Sequence, residues 1–294
     1  MSFFKRNKDA FGTLKAWNAG LLASGFESCN VEFYIDTTGS NRSSGMQSYK
    51  RNMHEGDETP YVQVMRFMSK GLKLLDRDNK YSVYGFGCSQ TEEHSVYKIT
   101  ENESPIDKCI EAYRVAMNKK RTMMSGPTSF AAAIKATIQK INKVAEETLR
   151  TGAKPKHDFW VCALIADGRV DCMEATRSAI CEASNYPMAI IVVGVGDGDL
   201  TTPKEPWKCM KELDDNLPGR KFDNVQFVWF EGIKKKGEDE MTRMAFQELP
   251  AQHKFIRDNG MFHIKVPLPE CDHINVYDLA GNLTNPLPSK TLSK

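Results

Sequence analysis

The stretch FWVCALIADG, residues 159–168, decides the fold. Eight apolar residues run from Phe159 to Ala166 without a polar break, and Asp167 and Gly168 end the run. An unalternated run of this length fits a strand covered on both faces, the kind that fills the middle of a parallel sheet. A second run, YPMAIIVVGVGDG (186–198), has the same character, and CMEATRSAICEAS (172–184) between them repeats apolar residues at helical spacing. Two buried strands joined by a helix make a parallel crossover unit.

The alternation continues in both directions. Upstream, NVEFYID (30–36) and KYSVYGFG (80–87) read as strands, and HSVYKI (94–99) as a short edge strand. YVQVMRFMSKGLKLLD (61–76) and SPIDKCIEAYRVAM (104–117) read as helices. PTSFAAAIKATIQKINKVAEETL (127–149) reads as a long helix with Phe130, Ile134, Ile138, Ile141 and Val144 on one face. Downstream come a short helix around 207–213, the strand VQFVWF (225–230) and a helix over 239–258 broken near Pro250. The pattern predicts a doubly wound, mostly parallel six-stranded α/β sheet with helices on both faces. Residues 1–30 form a lead-in, 31–258 the α/β domain, and 259–294 an extended tail with room for a hairpin.

Composition narrows the function. The chain has 294 residues, 40% hydrophobic and 27% charged, with net charge +2. That balance gives no electrostatic case for nucleic acid or an anionic membrane as main partner. Eight cysteines include no Cys-x-x-Cys pair, which leaves zinc ribbons and RING-type sites unsupported; buried, reduced thiols are expected. The start lacks a signal-peptide core, and the longest apolar run, Met188 to Val195, is too short to span a bilayer. A cytoplasmic protein with no stable membrane insertion is expected.

Ligands of open α/β sheets sit beyond the carboxyl ends of the strands. Three such places here carry oxygen. DTTGS (36–40) puts Asp36, Thr38 and Ser40 at alternate positions, so their oxygens can converge while Thr37 and Gly39 point away. SGPTSF (125–130) places Thr128 after a Gly-Pro turn at a helix start, and Asp167 ends a central strand before Gly168. Two carboxylates and three hydroxyls, with no His or Cys, suit Mg²⁺ first, with Mn²⁺ or Ca²⁺ as alternatives, and not zinc. So few carboxylates leave the ion net positive, with room for an acidic group from a partner. Each piece alone has a bland reading: an Asp-x-Ser/Thr-x-Ser string arises by chance in roughly one chain in ten of this size. Thr128 alone is a helix cap and Asp167–Gly168 alone a turn. The three in order are a sharper signal.

IDTTGSN (35–41), YGFG (84–87), EAYR (111–114), SGPTSFAAAI (125–134), LIADGRV (164–170), IIVVGVGDGD (190–199), DDNLPGRKFDNVQFVWF (214–230) and AFQELPAQHKFI (245–256) together resemble the copine-type von Willebrand factor A domain. The likeness is greatest to the form found in plant copine-related RING ubiquitin ligases, and it runs collinearly over roughly residues 8–257. The resemblance implies a metal-ion-dependent adhesion site. In it Thr38, Ser40 and Thr128 would touch the metal directly, and Asp36 and Asp167 would act mainly through water. Copines carry two calcium- and lipid-binding domains ahead of this one, and the plant ligases carry a RING after it. Here about 30 residues precede the first strand and the tail holds one cysteine, Cys271. Membrane docking and ubiquitin transfer are therefore not carried over.

Other features read as structure. VGVGDGD (193–199) lacks the helix entry of a dinucleotide loop and reads as a turn into the next helix, capped by Asp197. His94, His157 and His253 read as loop or surface residues, and Trp229 and Phe230 as core rather than a contact hot spot. The charged stretch 214–224 reads as a loop shaping one rim. The expected function is an intracellular scaffold without catalytic residues, binding a partner's Asp or Glu through the divalent cation. The alternatives are a Mg²⁺-dependent phosphoryl-transfer or hydrolytic enzyme, and a constitutive structural subunit whose metal only braces loops.

Overall fold

The computed structural model describes residues 11–262 and 268–286, apart from 74, 76, 77, 121, 122, 153–158 and 216. Seven strands form one sheet: β1 Cys29–Asp36, β2 Tyr81–Phe86, β3 Val96–Lys98, β4 Phe159–Ala166, β5 Met188–Gly194, β6 Val225–Trp229 and β7 Val276–Tyr277. Their order is β6-β5-β4-β1-β2-β3-β7. Strands β1, β2, β4, β5 and β6 are mutually parallel, and β3 runs against β2. Val31 of β1 sits between Tyr81 and Val161, so β1 and β4 are central and buried along nearly their whole length. The unbroken apolar runs have this cause: each residue of β4 meets a helix layer on one face or the other.

The helices are α1 Leu14–Ala23, α2 Pro60–Leu72, α3 Ile106–Lys120, α4 Ala131–Thr151, α5 Met173–Ala183, α6 Lys208–Asp215, α7 Phe230–Ile233, α8 Glu238–Phe246 and α9 Leu249–Asp258. One core layer joins Phe33 and Ile35 to α1, α2, α3, α8 and α9, through residues such as Trp17, Met65, Tyr113 and Phe246. The other joins Tyr34 to α4, α5 and α6, through Ile134, Ile138, Ile180 and Met210. Phe130, Ile134, Ile138 and Ile141 are buried as expected, but Val144 is exposed because α4 outruns the sheet there. The helix expected over 239–258 is two, with Pro250 in the first turn of α9, where its missing N–H breaks no bond. Among the described residues no helix is long and apolar enough to cross a membrane.

The sheet has one strand more than expected. Val276–Tyr277 pairs parallel to Val96–Tyr97, so β3 is not an edge. The tail is tied down from both sides: Ile274 N donates to Gln139 Oε1 at 2.9 Å, and Val276 N to Asn285 Oδ1 at 2.7 Å. Asn142 Nδ2 on α4 donates to Pro269 O at 3.2 Å, and an antiparallel bridge from Tyr277 to Leu283 closes a small hairpin. Two residues are too few to show a strand period, so this element had no signature of its own. His253 is also not on the surface; it is buried against Phe26, Phe159 and Phe262. His94 is exposed, and His157 lies outside the described residues.

Chain order reverses between β1 and β4: β2 lies to one side, β5 to the other. The crevice at their carboxyl ends is the place where this architecture receives ligands.

Candidate metal centre

Asp36 is the last residue of β1, and Asp167 follows the last residue of β4. Thr38 donates to Asp36 Oδ1 twice, from its amide at 2.8 Å and its hydroxyl at 2.7 Å. Ser40 Oγ lies 2.9 Å from Thr38 Oγ1 and donates to Asp167 Oδ1 at 3.0 Å. Thr128 Oγ1 lies 3.4 Å from Thr38 Oγ1. The structure thus brings all five expected residues, from three segments, into one oxygen cluster. Asp36, Thr38, Thr128 and Asp167 are buried, and Ser40 is exposed, so the cluster opens to solvent on the Ser40 side.

Local backbone explains the convergence. Thr37 turns away and donates to Phe86 O at 2.6 Å. Gly87, at φ +77°, lets β2 pass Thr38; a Cβ there would lie 2.3 Å from Thr38 Cγ2. Gly168, at φ +135°, turns the chain after Asp167 against Gly198, where a Cβ would lie 2.4 Å from the Gly198 carbonyl carbon. Thr128 is not a helix cap: α4 begins at Ala131, and Asp171 holds the Thr128 amide at 2.9 Å.

A second ring of residues holds the first, and the sequence alone did not single it out. Asn41 Nδ2 donates to Asp36 Oδ1 at 3.2 Å, and Asn41 Oδ1 accepts from Tyr61 OH at 2.5 Å. Ser44 Oγ donates to Asp167 Oδ2 at 2.6 Å. His54 stacks on Tyr61, with centroids 4.4 Å apart, donates from Nε2 to Asp36 O at 2.9 Å and pairs through Nδ1 with Tyr113 OH at 2.7 Å. Burial holds the His54 imidazole down to about 3, so it is neutral in this role. Asn41 and Ser44 lay inside the hydroxyl-rich stretch and were legible as neighbours; nothing near His54 in the chain marked it.

Two carboxylates in a dry pocket repel. Burial first, and the Asp167 charge second, push the Asp36 carboxyl up to about 8; burial also raises Asp167. Asp36 Oδ2 is buried without a hydrogen-bond partner. Among the described residues no basic side chain pairs with either carboxylate. An orphaned carboxylate oxygen beside three hydroxyls and a second carboxylate fits a hard divalent cation.

Other groups behave differently. Asp214, Asp223 and Glu248 lie within 4.8 Å of one another. Asp223 precedes β6, so this cluster is at the opposite end of the parallel strands, and the loop 214–224 does not border the Asp36 site. Arg220, 6% exposed, already sits among these acids and pairs with Asp223 Oδ1 at 2.7 Å. Burial pushes Asp214 up to about 8 and Glu248 up to about 10. Asp197 caps no following helix; it accepts from Gln47 N and Ser48 N, both at 2.8 Å, and locks the β5 turn to the loop after β1. The eight cysteines are free, but Cys172, Cys181, Cys209 and Cys271 are half-buried because they lie at element ends and in loops. Phe230 is core as expected; Trp229, the last residue of the outermost strand β6, is 41% exposed.

The copine family model matches residues 51–265. The chain belongs to the copine family. The E3 ubiquitin-protein ligase RGLG5 of Arabidopsis thaliana is 32% identical over 282 residues, covering 88% of this chain and 60% of that protein. Copine family protein 2 of Caenorhabditis elegans is 33% identical over 262 residues, covering 85% of this chain and 3% of that protein. This copine chain thus spans less than two thirds of either relative. Among solved structures, the SpRpn10 VWA domain aligns with 69% of this chain and 88% of its own, at TM-score 0.38 and 12% identity.

Proposed function

We propose that this copine-family chain is a binding module that grips an acidic side chain of a protein partner through a divalent cation, Mg²⁺ first and Mn²⁺ or Ca²⁺ as substitutes. The observation that carries the reading is the clustering of side-chain oxygens from Asp36, Thr38, Ser40, Thr128 and Asp167, in which one buried carboxylate oxygen, Asp36 Oδ2, has no hydrogen-bond partner. Thr38, Ser40 and Thr128 supply hydroxyls to the ion, and Asp36 and Asp167 supply the charge, directly or through water. The bound ion supplies a Lewis-acidic position that a carboxylate can fill.

The chain's own residues set the terms. Asn41 and Ser44 fix the two carboxylates by hydrogen bonds, and the His54–Tyr61 stack fixes Asn41 and the Asp36 carbonyl. Ser40, the exposed member, marks the side from which a partner arrives. A binding role fits better than a catalytic one because His54, the base that touches Asp36, has both ring nitrogens engaged inside the core. Free thiols fit a reducing compartment, so the proposed setting is the cytoplasm.

The test is Mn²⁺ binding followed by electron paramagnetic resonance, with competition by Mg²⁺. Wild type should bind one Mn²⁺ that Mg²⁺ displaces, and Asp36→Ala and Thr128→Ala should lose it while keeping their circular dichroism. Unchanged Mn²⁺ affinity in Asp36→Ala would overturn the reading.

A further inference from the structure

Three of the large apolar side chains exposed on this surface lie at the carboxyl end of the parallel strands, as the candidate metal centre does: Met46 at 51% after β1, Leu200 at 44% after β5 and Trp229 at 41% at the end of β6. The others, Leu22, Val115, Val144, Leu149 and Leu283, are scattered over α1, α3, α4 and the tail hairpin. Scattered singles are ordinary on a soluble protein, but a group beside a polar site marks a contact surface.

Met46 and Leu200 follow closely on residues that touch Asp167 or Gly168, and Trp229 reaches the same network one step further out, through Gly196. Met46 lies two residues beyond Ser44, whose hydroxyl holds Asp167 Oδ2 at 2.6 Å. Its loop is fixed by Asp197, through the Gln47 and Ser48 amides at 2.8 Å. Trp229 Nε1 donates to Gly196 O at 3.4 Å, and its ring lies 6.2 Å from that of buried Trp207. Gly196 backs onto Ser44 so closely that a Cβ there would lie 2.6 Å from Ser44 O. Leu200 lies two residues beyond Gly198, which packs on Gly168 next to Asp167. Its turn is closed by Asp199 N donating to Pro206 O at 2.9 Å. Rings and loops are thus held in place before any partner arrives, which lowers the ordering cost of docking. Arg42, exposed, adds positive charge beside the same residues, whereas Arg169 is paired with Asp171 Oδ1 at 2.6 Å.

We infer that Met46, Leu200 and Trp229 form an apolar rim continuous with the metal centre, and that the partner is a peptide segment pairing its acidic residue with a nearby aliphatic or aromatic one. The acid goes to the site and the apolar side chain to the rim; exposed Arg42 disfavours basic neighbours. This rests on the metal reading above and adds the partner's second anchor to it.

The probe is a phage-displayed random peptide library selected on the full chain in Mg²⁺ and eluted with EDTA. Recovered peptides should share an Asp or Glu with a Leu, Ile, Met, Phe, Tyr or Trp within a few positions. They should bind Met46→Gln/Trp229→Gln about tenfold or more weakly, at unchanged Mn²⁺ affinity. Leu149→Ala, on an exposed patch of α4 away from the rim, should bind them as wild type does. Retained Mn²⁺ binding shows that the double variant is folded; should it be lost, Trp229→Phe and Met46→Ala singly give the same reading at smaller amplitude. Peptides without an apolar preference, no EDTA-eluted peptides from a chain that binds Mn²⁺, or full affinity in the rim variants would overturn this inference alone. A chain that binds no Mn²⁺ would overturn the metal reading and this one with it.

Discussion

The two ends of the sheet solve the same problem in opposite ways. At the carboxyl ends of β1 and β4, Asp36 and Asp167 are buried together; at the amino end of β6, buried Glu248 meets half-buried Asp214 and Asp223. Both groups are pushed toward the protonated form by burial. The β6 cluster has its own cation, Arg220, inserted among the acids. The β1–β4 pair has hydroxyls and amides around it and one carboxylate oxygen with no partner. A cation fixed by a covalent chain makes a permanent structural element; on the proposed reading, the β1–β4 pair takes its cation from solution and is switchable. Charge clusters of similar composition therefore differ in role according to whether the counter-charge is built in.

The largest effect should come from removing the built-in cation. Arg220→Ala leaves acids facing one another in a dry loop and should destabilise the fold by about 3–5 kcal/mol in urea or thermal melts. The matching change at the other end, Asp36→Asn, replaces a carboxyl that burial and Asp167 push up to about 8 by a neutral amide and should leave the metal-free protein as stable as wild type or more so. Equal destabilisation by both would erase the contrast.

Mg²⁺ should act on one end alone. At about a hundred times its dissociation constant it should add about 2.7 kcal/mol of stability. That increment should vanish in Asp36→Ala and survive in Glu248→Gln, as read from melting temperature with and without EDTA.

The pH profile separates the two ends further. In EDTA the folded chain keeps protons on Glu248 up to about 10 and on Asp214 and Asp36 up to about 8, whereas the unfolded chain releases them near pH 4. The folded state then binds more protons, so stability is fullest below pH 4 as far as these groups are concerned, and falls as pH rises from about 4 to 10. Melting temperatures between pH 5 and 9 should show that fall. Mg²⁺ should flatten the Asp36 share by favouring its ionised form, and Glu248→Gln should remove the alkaline part. The smallest effect belongs to Tyr61→Phe, which frees Asn41: about 1 kcal/mol of stability and about tenfold in Mn²⁺ affinity, by melting and by resonance titration.

What the sequence showed and what it hid divide along physical lines. β4 and β5 were legible because a strand buried on both faces has no polar residue to interrupt it. The five oxygens were legible because three of them sit within five residues, Asp167 ends an apolar run and Thr128 lies just ahead of a helical pattern. Arg220 with Glu248 was hidden because the partners come from separate elements and neither element needs the other to form. His253 was misread as surface and His54 carried no mark: a histidine can be core when aromatic rings wall it in, or when its two nitrogens meet a carbonyl and a phenol. Trp229 failed in the other direction, since an apolar residue at the end of an outermost strand has core composition without core surroundings. The six-stranded expectation missed β7 because its two residues pair with a strand far back in the chain.

That last pairing has a consequence for biogenesis. Val96 meets Val276 across about 180 residues of chain, which a ribosome adds over roughly 10–40 s at about 5–20 residues per second. For that interval the nascent β3 offers a bare row of amides and carbonyls, the kind of surface on which misassembly starts. A chaperone that shields this row during translation would protect the yield of the protein without touching the carboxyl ends of β1 and β4.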